Sequence, residues 1–168
     1  QICEVVVNHK RKICIVGRSM EKVVQISREF GYIKIPDNMI VQSQDIKLFK
    51  NSEILILCTG SQGEAMAALS RIIGGENKDI KICPGDTVVF SSSAIPGNGI
   101  LIDRMVNQLT RAGAEVITNS ILNDIHSSGH PAKQELRLIL KLFNPKYFMP
   151  MHGEYRMLKL HAEIAQTL

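Results

Sequence analysis

Short apolar runs alternate with segments of helical periodicity along most of this sequence. The runs KICIVG, ILILCTG, DTVVFSS and AEVIT have the composition and length of buried strands. Between them lie segments with one apolar helical face, such as the face formed by Val23, Ile26 and Phe30. Continuous apolar strands separated by amphipathic helices imply a parallel sheet that is covered on both sides. We therefore predict an α/β fold with an open, mainly parallel sheet flanked by helices.

After Ile121 the pattern continues with a turn that contains two histidines. We predict one further segment of helix, strand and helix after this turn. The elements predicted for this segment are a helix from Pro131 to Phe143, a strand at residues 146–150 (KYFMP) and a final helix from Tyr155.

Composition limits the class of protein. A chain of 168 residues with 45% hydrophobic residues is long and apolar enough to bury a core. The net charge of +4 is compatible with an anionic partner such as nucleic acid. No apolar run approaches the length of a membrane span, and the first residues do not resemble a secretion signal. The chain starts without Met, in what reads as the end of a helix, so we expect it to be a piece of a longer protein.

The four cysteines, Cys3, Cys14, Cys58 and Cys83, lie inside or beside apolar runs, and none forms a CxxC pair. This placement favours buried, reduced thiols over disulfides or a zinc knuckle. We therefore expect a cytoplasmic protein.

Polar loops follow the predicted strands, at the position where ligands bind in open α/β folds. In the second of these loops, Gly60 and Gly63 would let backbone N–H groups approach a phosphate, and Ser61 and Gln62 offer hydrogen bonds. The same residues also suit an ordinary strand-to-helix turn. The sequence has neither GxGxxG nor GxxxxGK[ST], which argues against an ordinary dinucleotide or P-loop site.

The histidine turn, HSSGH at residues 126–130, is the first of two candidate sites. Gly129 and Pro131 disfavour a helix that would bring His126 and His130 onto one face, so a helical metal clamp is excluded. If Pro131 begins a helix, His130 and the amides near Gly129 lie where a negative group is favoured. Ser128 and His126 would then donate to a phosphate, and His130 could protonate a leaving oxygen. Two ordinary surface histidines remain the alternative.

The second candidate is His152, in the segment HGEYRML at residues 152–158. A histidine between an apolar run and a helix is a common metal ligand, but a single ligand does not make a site. No HxHxDH, HExxH or cluster of carboxylates is present to complete a zinc site. We expect His161 and His9 to be packing or surface residues.

Three segments in this order, TGSQGE (residues 59–64), HSSGH and HGEYRML, together resemble the ribonuclease J family, in the β-CASP branch of the metallo-β-lactamase superfamily. The resemblance covers essentially the whole chain, and also includes VGRSM and FSSSAIPGN. It implies a β-CASP domain at residues 1–122, followed by a segment at residues 123–168 that rejoins a metallo-β-lactamase domain, with the boundary near Leu122. It also implies an enzyme that cuts RNA as an endonuclease and as a 5′-to-3′ exonuclease, in RNA processing and decay.

The resemblance implies roles for individual residues. His130 would protonate the leaving group, His152 would bind zinc, and His126, Ser128, Gly129 and His130 would hold substrate phosphates. The loops from Gly60 to Glu64 and from Ser91 to Gly97 would line the RNA path. The complete enzyme would hold two zinc ions, prefer RNA with a 5′-monophosphate, form a homo-oligomer and have no membrane partner. The other zinc ligands of the family precede the region covered here, so we expect this segment alone to be inactive.

Two other interpretations remain open. The chain could belong to a non-catalytic RNA-binding or assembly module on the same scaffold, or to a related nuclease that acts on DNA. An intact or degenerate HxHxDH motif in the complete protein would distinguish the first from an enzyme, and substrate competition would test the second.

Overall fold

The structure is a computed structural model that describes residues 2–119, 125, 126 and 128–168. It divides into two compact units, Gln1–His126 and Ser127–Leu168. The predicted boundary near Leu122 lies outside the described residues and stays a prediction.

The first unit alternates strands and helices, as the sequence predicts. Its helices and strands in chain order are α1 (Ile2–Asn8), β1 (Lys12–Val16), α2 (Arg18–Glu29), β2 (Ile40–Val41), β3 (Ile54–Cys58), α3 (Ala68–Ile73), β4 (Thr87–Phe90), α4 (Gly99–Arg111) and β5 (Glu115–Thr118). Three short 3-10 helices, Asp37–Met39, Ser43–Leu48 and Asn51–Glu53, connect β2 to its neighbours.

All strand pairs in the described residues are parallel, which confirms the predicted α/β class. They form two sheets, a three-stranded one in the order β2-β1-β3 and a two-stranded one of β4 and β5. The sequence pattern does not indicate this division, because periodicity identifies strands and not their partners.

Strand β1 is buried on both faces. Ile13 and Cys14 are each 0% exposed, and successive side chains of a strand point to opposite faces. Ile13 packs in a cluster with Val6 of α1, whereas Cys14 packs in another with Ile72 of α3. The three-stranded sheet is therefore covered from both sides, as predicted.

A third cluster covers the two-stranded sheet. Its buried members are Leu69, Phe90, Met105, Leu109 and Ala114. Cys58, at the end of β3, packs against the same cluster. The last residue of β3 therefore contributes to the core beneath β4, although the two strands are not hydrogen-bonded neighbours.

The loop that follows β3, here called the β3 loop (residues 59–64), is fixed by two glycines with positive φ. Gly60 has φ +116°, and a Cβ there would lie 2.8 Å from the Cβ of Ala67. Gly63 has φ +80°, and its Cβ would lie 2.7 Å from the Cβ of Leu101. Close protein packing, as well as backbone conformation, therefore requires glycine at both positions.

Helix α3 begins at Ala68, and does not follow directly on the β3 loop. The amide of Leu69 donates to the carbonyl of Thr59 at 2.9 Å, and Ala67 N–H donates to the carbonyl of Glu64 at 3.1 Å. These bonds hold residues 64–67 in turns against the end of β3, where helical hydrogen bonds cannot form.

The second unit contains two helices, α5 (Lys133–Phe143) and α6 (Tyr155–Gln166). The prediction of a strand at residues 146–150 is wrong, because the structure has bends and irregular backbone there. A strand needs a partner for its backbone hydrogen bonds, and the described residues of this unit contain no strand. Among all the helices of the described part of the chain, none is both long and apolar enough to cross a bilayer.

We expect Leu109→Ala to lower the free energy of unfolding by about 2–5 kcal/mol, because the side chain is 0% exposed and its loss leaves a cavity. Leu48→Ala, at a side chain that is 79% exposed, should change it by less than about 0.5 kcal/mol. Urea titration followed by circular dichroism measures both values. Equal effects of the two substitutions would contradict the assignment of Leu109 to the core.

Gly60→Ala should destabilise the protein more than Gly31→Ala. Both glycines have positive φ, but a Cβ at Gly31 would meet nothing within 4 Å. Gly31→Ala therefore measures backbone strain alone, about 1 kcal/mol, and Gly60→Ala adds the clash with Ala67. The same urea titration shows which of the two substitutions lowers the free energy of unfolding more. A larger effect at Gly31 would refute the packing explanation.

Candidate functional site

Polar loops follow the carboxyl ends of β3 and β4, as predicted for ligand sites in open α/β folds, and Asn119 follows β5. Side-chain hydrogen bonds connect the β3 loop to the loop after β4, here called the β4 loop (residues 91–97). The carboxamide of Gln62 donates from Nε2 to the carbonyl of Ser93 at 2.9 Å and accepts at Oε1 from the amide of Ile95 at 2.9 Å. Gln62 therefore bonds backbone groups of the β4 loop with both ends of its amide.

Asn119, directly after β5, also bonds the β4 loop. Its Nδ2 donates to the hydroxyl of Ser93 at 3.2 Å, and its Oδ1 accepts from the amide of Ile125 at 3.4 Å. The hydroxyl of Ser91 donates to the carbonyl of Ile125 at 2.6 Å. Both backbone polar groups of Ile125 are therefore bonded, immediately before His126 of the histidine turn.

A cavity of about 160 Å³ lies at these strand ends. It is lined by Ser61, Phe90, Ser92, Ser93, Ala94, Ile102, Thr118 and Asn119. The polar groups in this lining are hydroxyls and one carboxamide, without a charged side chain. The cavity therefore offers neutral hydrogen bonds beside an apolar floor.

The residues of the histidine turn belong to both units. His126 is half-buried at the end of the first unit, and Ser128, Gly129 and His130 are exposed at the start of the second. The amide of His130 donates to the Ser128 hydroxyl oxygen at 3.1 Å. This bond fixes the turn locally, and it means that the His130 amide is not free for a ligand.

The prediction that Pro131 is the first helical residue is wrong. Helix α5 begins at Lys133, with Ala132 as its N-cap. The amide of Ala132 donates to Oε2 of Glu135 at 2.6 Å, so a carboxylate of the helix itself already occupies part of the positive helix end. An anion at His130 would consequently depend on side chains more than on this helix terminus.

The second unit brings the two main candidates together. The rings of His130 and His152 stack with centroids 5.8 Å apart and planes inclined by 12°. Both side chains are exposed, and each histidine lies in the turn that precedes a helix, His130 before α5 and His152 before α6. Sequence reasoning proposed the two residues separately and did not pair them, since nothing in local periodicity relates one turn to the other.

His152 has a left-handed backbone conformation, with φ +66°. Non-glycine residues seldom adopt it, although histidine is among those that do so most often. The next carboxylate along the chain, Glu154, forms an ion pair with Nε of Arg156 at 2.8 Å. Sequence reasoning did not predict this ion pair. The signal available for it was an arginine two residues after the glutamate.

The described residues do not form a complete metal site. They contain no group of three His, Cys, Asp or Glu side chains that could hold an ion. The donors near His152 are the His130 ring and Glu154, and Glu154 is already paired with Arg156. Any metal at His152 would need ligands from residues other than these.

The cysteine thiols have no chemistry suited to this site. All four are free, Cys14 is buried and the other three are half-buried. Burial, together with the nearby Cys14, raises the pKa of Cys58 to about 11. This thiol therefore stays protonated near neutral pH and is neither a nucleophile nor a ready metal ligand.

The remaining histidines behave as expected. His161 packs edge-on against Phe148, with centroids 4.8 Å apart, and His9 is exposed after α1.

Comparison with known proteins identifies the family. Residues 1–109 match the model of the ribonuclease J β-CASP domain, and residues 116–167 match that of the Zn-dependent metallo-hydrolase RNA specificity domain. The chain is 49% identical to ribonuclease J 1 of Streptococcus pyogenes over 100% of its own length and 30% of the relative. It is 43% identical to ribonuclease J of Mycoplasma pneumoniae, over 99% of its length and 29% of that protein.

A further relative is ribonuclease J of Synechocystis, which is 46% identical over 95% of the chain and 25% of the relative. The chain thus spans less than a third of the length of these relatives. Two domain models in the expected order, together with this level of identity, establish that the chain belongs to the ribonuclease J family.

Proposed function

We propose that this chain is part of a metal-dependent ribonuclease that hydrolyses RNA phosphodiester bonds in cytoplasmic RNA processing and decay. The observation that carries the proposal is the stacked pair of exposed histidines, His130 and His152, in a chain 49% identical to a ribonuclease J. We also propose both endonuclease and 5′-to-3′ exonuclease activity for the complete protein, and a homo-oligomeric state.

In this proposal His130 is the general acid. Hydrolysis requires water to attack phosphorus while the bond from phosphorus to the 3′ oxygen breaks, and a proton must reach that leaving oxygen. The His130 imidazole is exposed, and no hydrogen bond to it occurs within the described residues. Its backbone is held by the Ser128 hydroxyl, so the ring projects from a fixed turn.

Ser128 and His126 are proposed phosphate contacts, together with Gly129 and His130. The Ser128 hydroxyl accepts a hydrogen bond from the His130 amide at 3.1 Å, while its own O–H has only a longer contact, 3.4 Å, to the His130 carbonyl. A phosphate oxygen would be a better acceptor for that proton. The hydroxyl would suit any phosphate of RNA, and the proposed preference for a 5′-monophosphate rests on the resemblance to the family.

His152 is the proposed ligand of one of two zinc ions in the complete protein. Its imidazole is exposed, and the left-handed turn at His152 is the kind of strained conformation that recurs at functional sites. The description of the RNA specificity domain as Zn-dependent supports this proposal. When bound, the metal would neutralise charge that develops on the phosphate. The remaining ligands must come from outside the described residues, so the isolated chain should be inactive.

A non-catalytic RNA-binding or assembly module is the second candidate. It would keep the α/β scaffold and the exposed turn at residues 128–130 and would need no metal site. The two functions differ in one measurement, because only the enzyme shortens a 5′-monophosphorylated RNA. Cleavage and metal content of the complete protein, compared with those of this chain, therefore test the proposal. Binding without cleavage by the complete protein would establish the module instead.

In the complete protein, His152→Ala should remove about one of two bound metal equivalents and reduce cleavage by at least roughly 100-fold, because a direct ligand is lost. Metal content by mass spectrometry and single-turnover cleavage measure the two effects. His9→Ala is the matched control, since it removes an exposed histidine outside the site. Unchanged stoichiometry and rate in the His152 variant would refute the ligand role.

His130→Ala should lower kcat by about 10²–10⁴-fold and leave the metal content intact, because it removes a proton donor and no proposed ligand. Steady-state cleavage and metal analysis of the same preparations provide the comparison. A loss of metal equal to that of the His152 variant would contradict the separate roles of the two histidines.

A further inference from the structure

The hydrogen bonds between the loops at the strand ends form one connected network. It starts at Gln62 in the β3 loop, passes through the β4 loop and Asn119, and ends at Ile125. Here it is called the loop network, and its members are the side chains of Gln62, Ser91, Ser93 and Asn119 and the backbone groups of Ser93, Ile95 and Ile125.

Position 62 requires a side chain that both donates and accepts a hydrogen bond, and few side chains can do this. It donates to one backbone carbonyl and accepts from one backbone amide of the same loop, both at 2.9 Å. A carboxylate of the same length accepts but cannot donate. The pair of bonds therefore specifies a carboxamide and fixes the β4 loop relative to the β3 loop.

Ser91 and Asn119 act on a different target. Ser91 donates to the carbonyl of Ile125 at 2.6 Å, and Asn119 accepts from its amide at 3.4 Å. No regular secondary structure holds Ile125, so these side chains replace the bonds that a strand or helix would supply. The next residue is His126, where the proposed phosphate contacts begin.

The loop network lies outside the hydrophobic clusters. None of Gln62, Ser91, Ser93 and Asn119 belongs to the buried core, and these bonds are largely solvent-exposed. Exposed hydrogen bonds of this kind add little net stability, but they restrict the direction of the loops they join. Removing one should disturb local geometry without unfolding the protein.

We infer that Gln62, Ser91 and Asn119 are positioning residues for RNA cleavage, an inference that rests on the proposed function. Gln62 holds the β4 loop in the conformation that receives RNA. Ser91 and Asn119 fix the backbone at Ile125, from which the histidine turn starts. Gln62 would thereby act on substrate affinity. The Ser91–Asn119 pair would act on the placement of the substrate phosphate through His126, the proposed phosphate contact that follows Ile125.

The test uses the complete protein and a 5′-monophosphorylated RNA. Ser91→Ala should lower kcat about tenfold, because small displacements of reacting groups are costly, and Ser91→Thr should restore kcat to within about twofold because it keeps the hydroxyl. Gln62→Ala and Gln62→Glu should each raise KM about fivefold with kcat within about twofold. Metal content should stay at the wild-type value in all four.

Ser52→Ala and Gln108→Ala are the matched controls. Ser52 is exposed just before β3, at the opposite end of the strand from the β3 loop, and Gln108 is exposed on α4. If Ser91→Ala cleaves like Ser52→Ala, or if Ser91→Thr is as slow as Ser91→Ala, the positioning role is overturned while the ribonuclease proposal stands.

A second readout separates the inference from the proposed function. Amide hydrogen exchange of the complete protein at Ile95 and Ile125 should become faster in Gln62→Ala and Asn119→Ala respectively, because each substitution removes the acceptor of that amide, and not in the controls. If the wild-type protein does not cut RNA, the ribonuclease proposal fails, whereas this exchange pattern still decides whether the loop network exists. Unchanged exchange at both amides would overturn the inference regardless of activity.

Discussion

Burial of β1 on both faces is the constraint on which the first unit depends. Ile13 and Cys14 are adjacent in the strand and both are 0% exposed, so the sheet needs a helical layer on each side. Parallel neighbours meet this need, because every connection between parallel strands crosses over a face of the sheet. Because parallel strands run in the same direction, their carboxyl ends lie at one edge of a sheet. The polar loops of this unit follow these ends.

The loops at those ends do not rely on regular backbone hydrogen bonds. Side-chain amides and hydroxyls bond their backbone groups, as in the contacts from Gln62 to Ser93 and Ile95. A loop that is held in this way can be irregular and still have one defined conformation. Such a loop tolerates few substitutions at the bonding positions, since each bond needs a particular donor or acceptor at a particular position.

Local patterns predicted much of the fold and less of the candidate site. Apolar runs and helical faces identified β1, β3, β4, β5 and most helices, because these depend on periodicity within a short window. The prediction of a strand at residues 146–150 failed because a strand needs a partner, and the described residues of this unit provide none. The stacking of His130 on His152 could not be predicted for the same reason, since contacts distant in sequence leave no periodic signal.

The two loop glycines show how one residue type supports different explanations. The sequence suggested that Gly60 and Gly63 admit a phosphate, but in the structure the space beside them is filled by Ala67 and Leu101. The carboxamide of Gln62 is likewise occupied by the β4 loop.

A ligand in the adjacent cavity would therefore meet the hydroxyls of Ser61, Ser92 and Thr118 beside Phe90 and Ile102. Such a lining is suited to neutral sugar or base groups, because it offers hydrogen bonds and apolar contact without a positive charge. Recognition of phosphate charge would then need groups outside this cavity, as proposed for Ser128 and His130. The β3 loop beside this cavity and the histidine turn both resembled ligand sites in the sequence. They thus differ in the chemistry that they can supply.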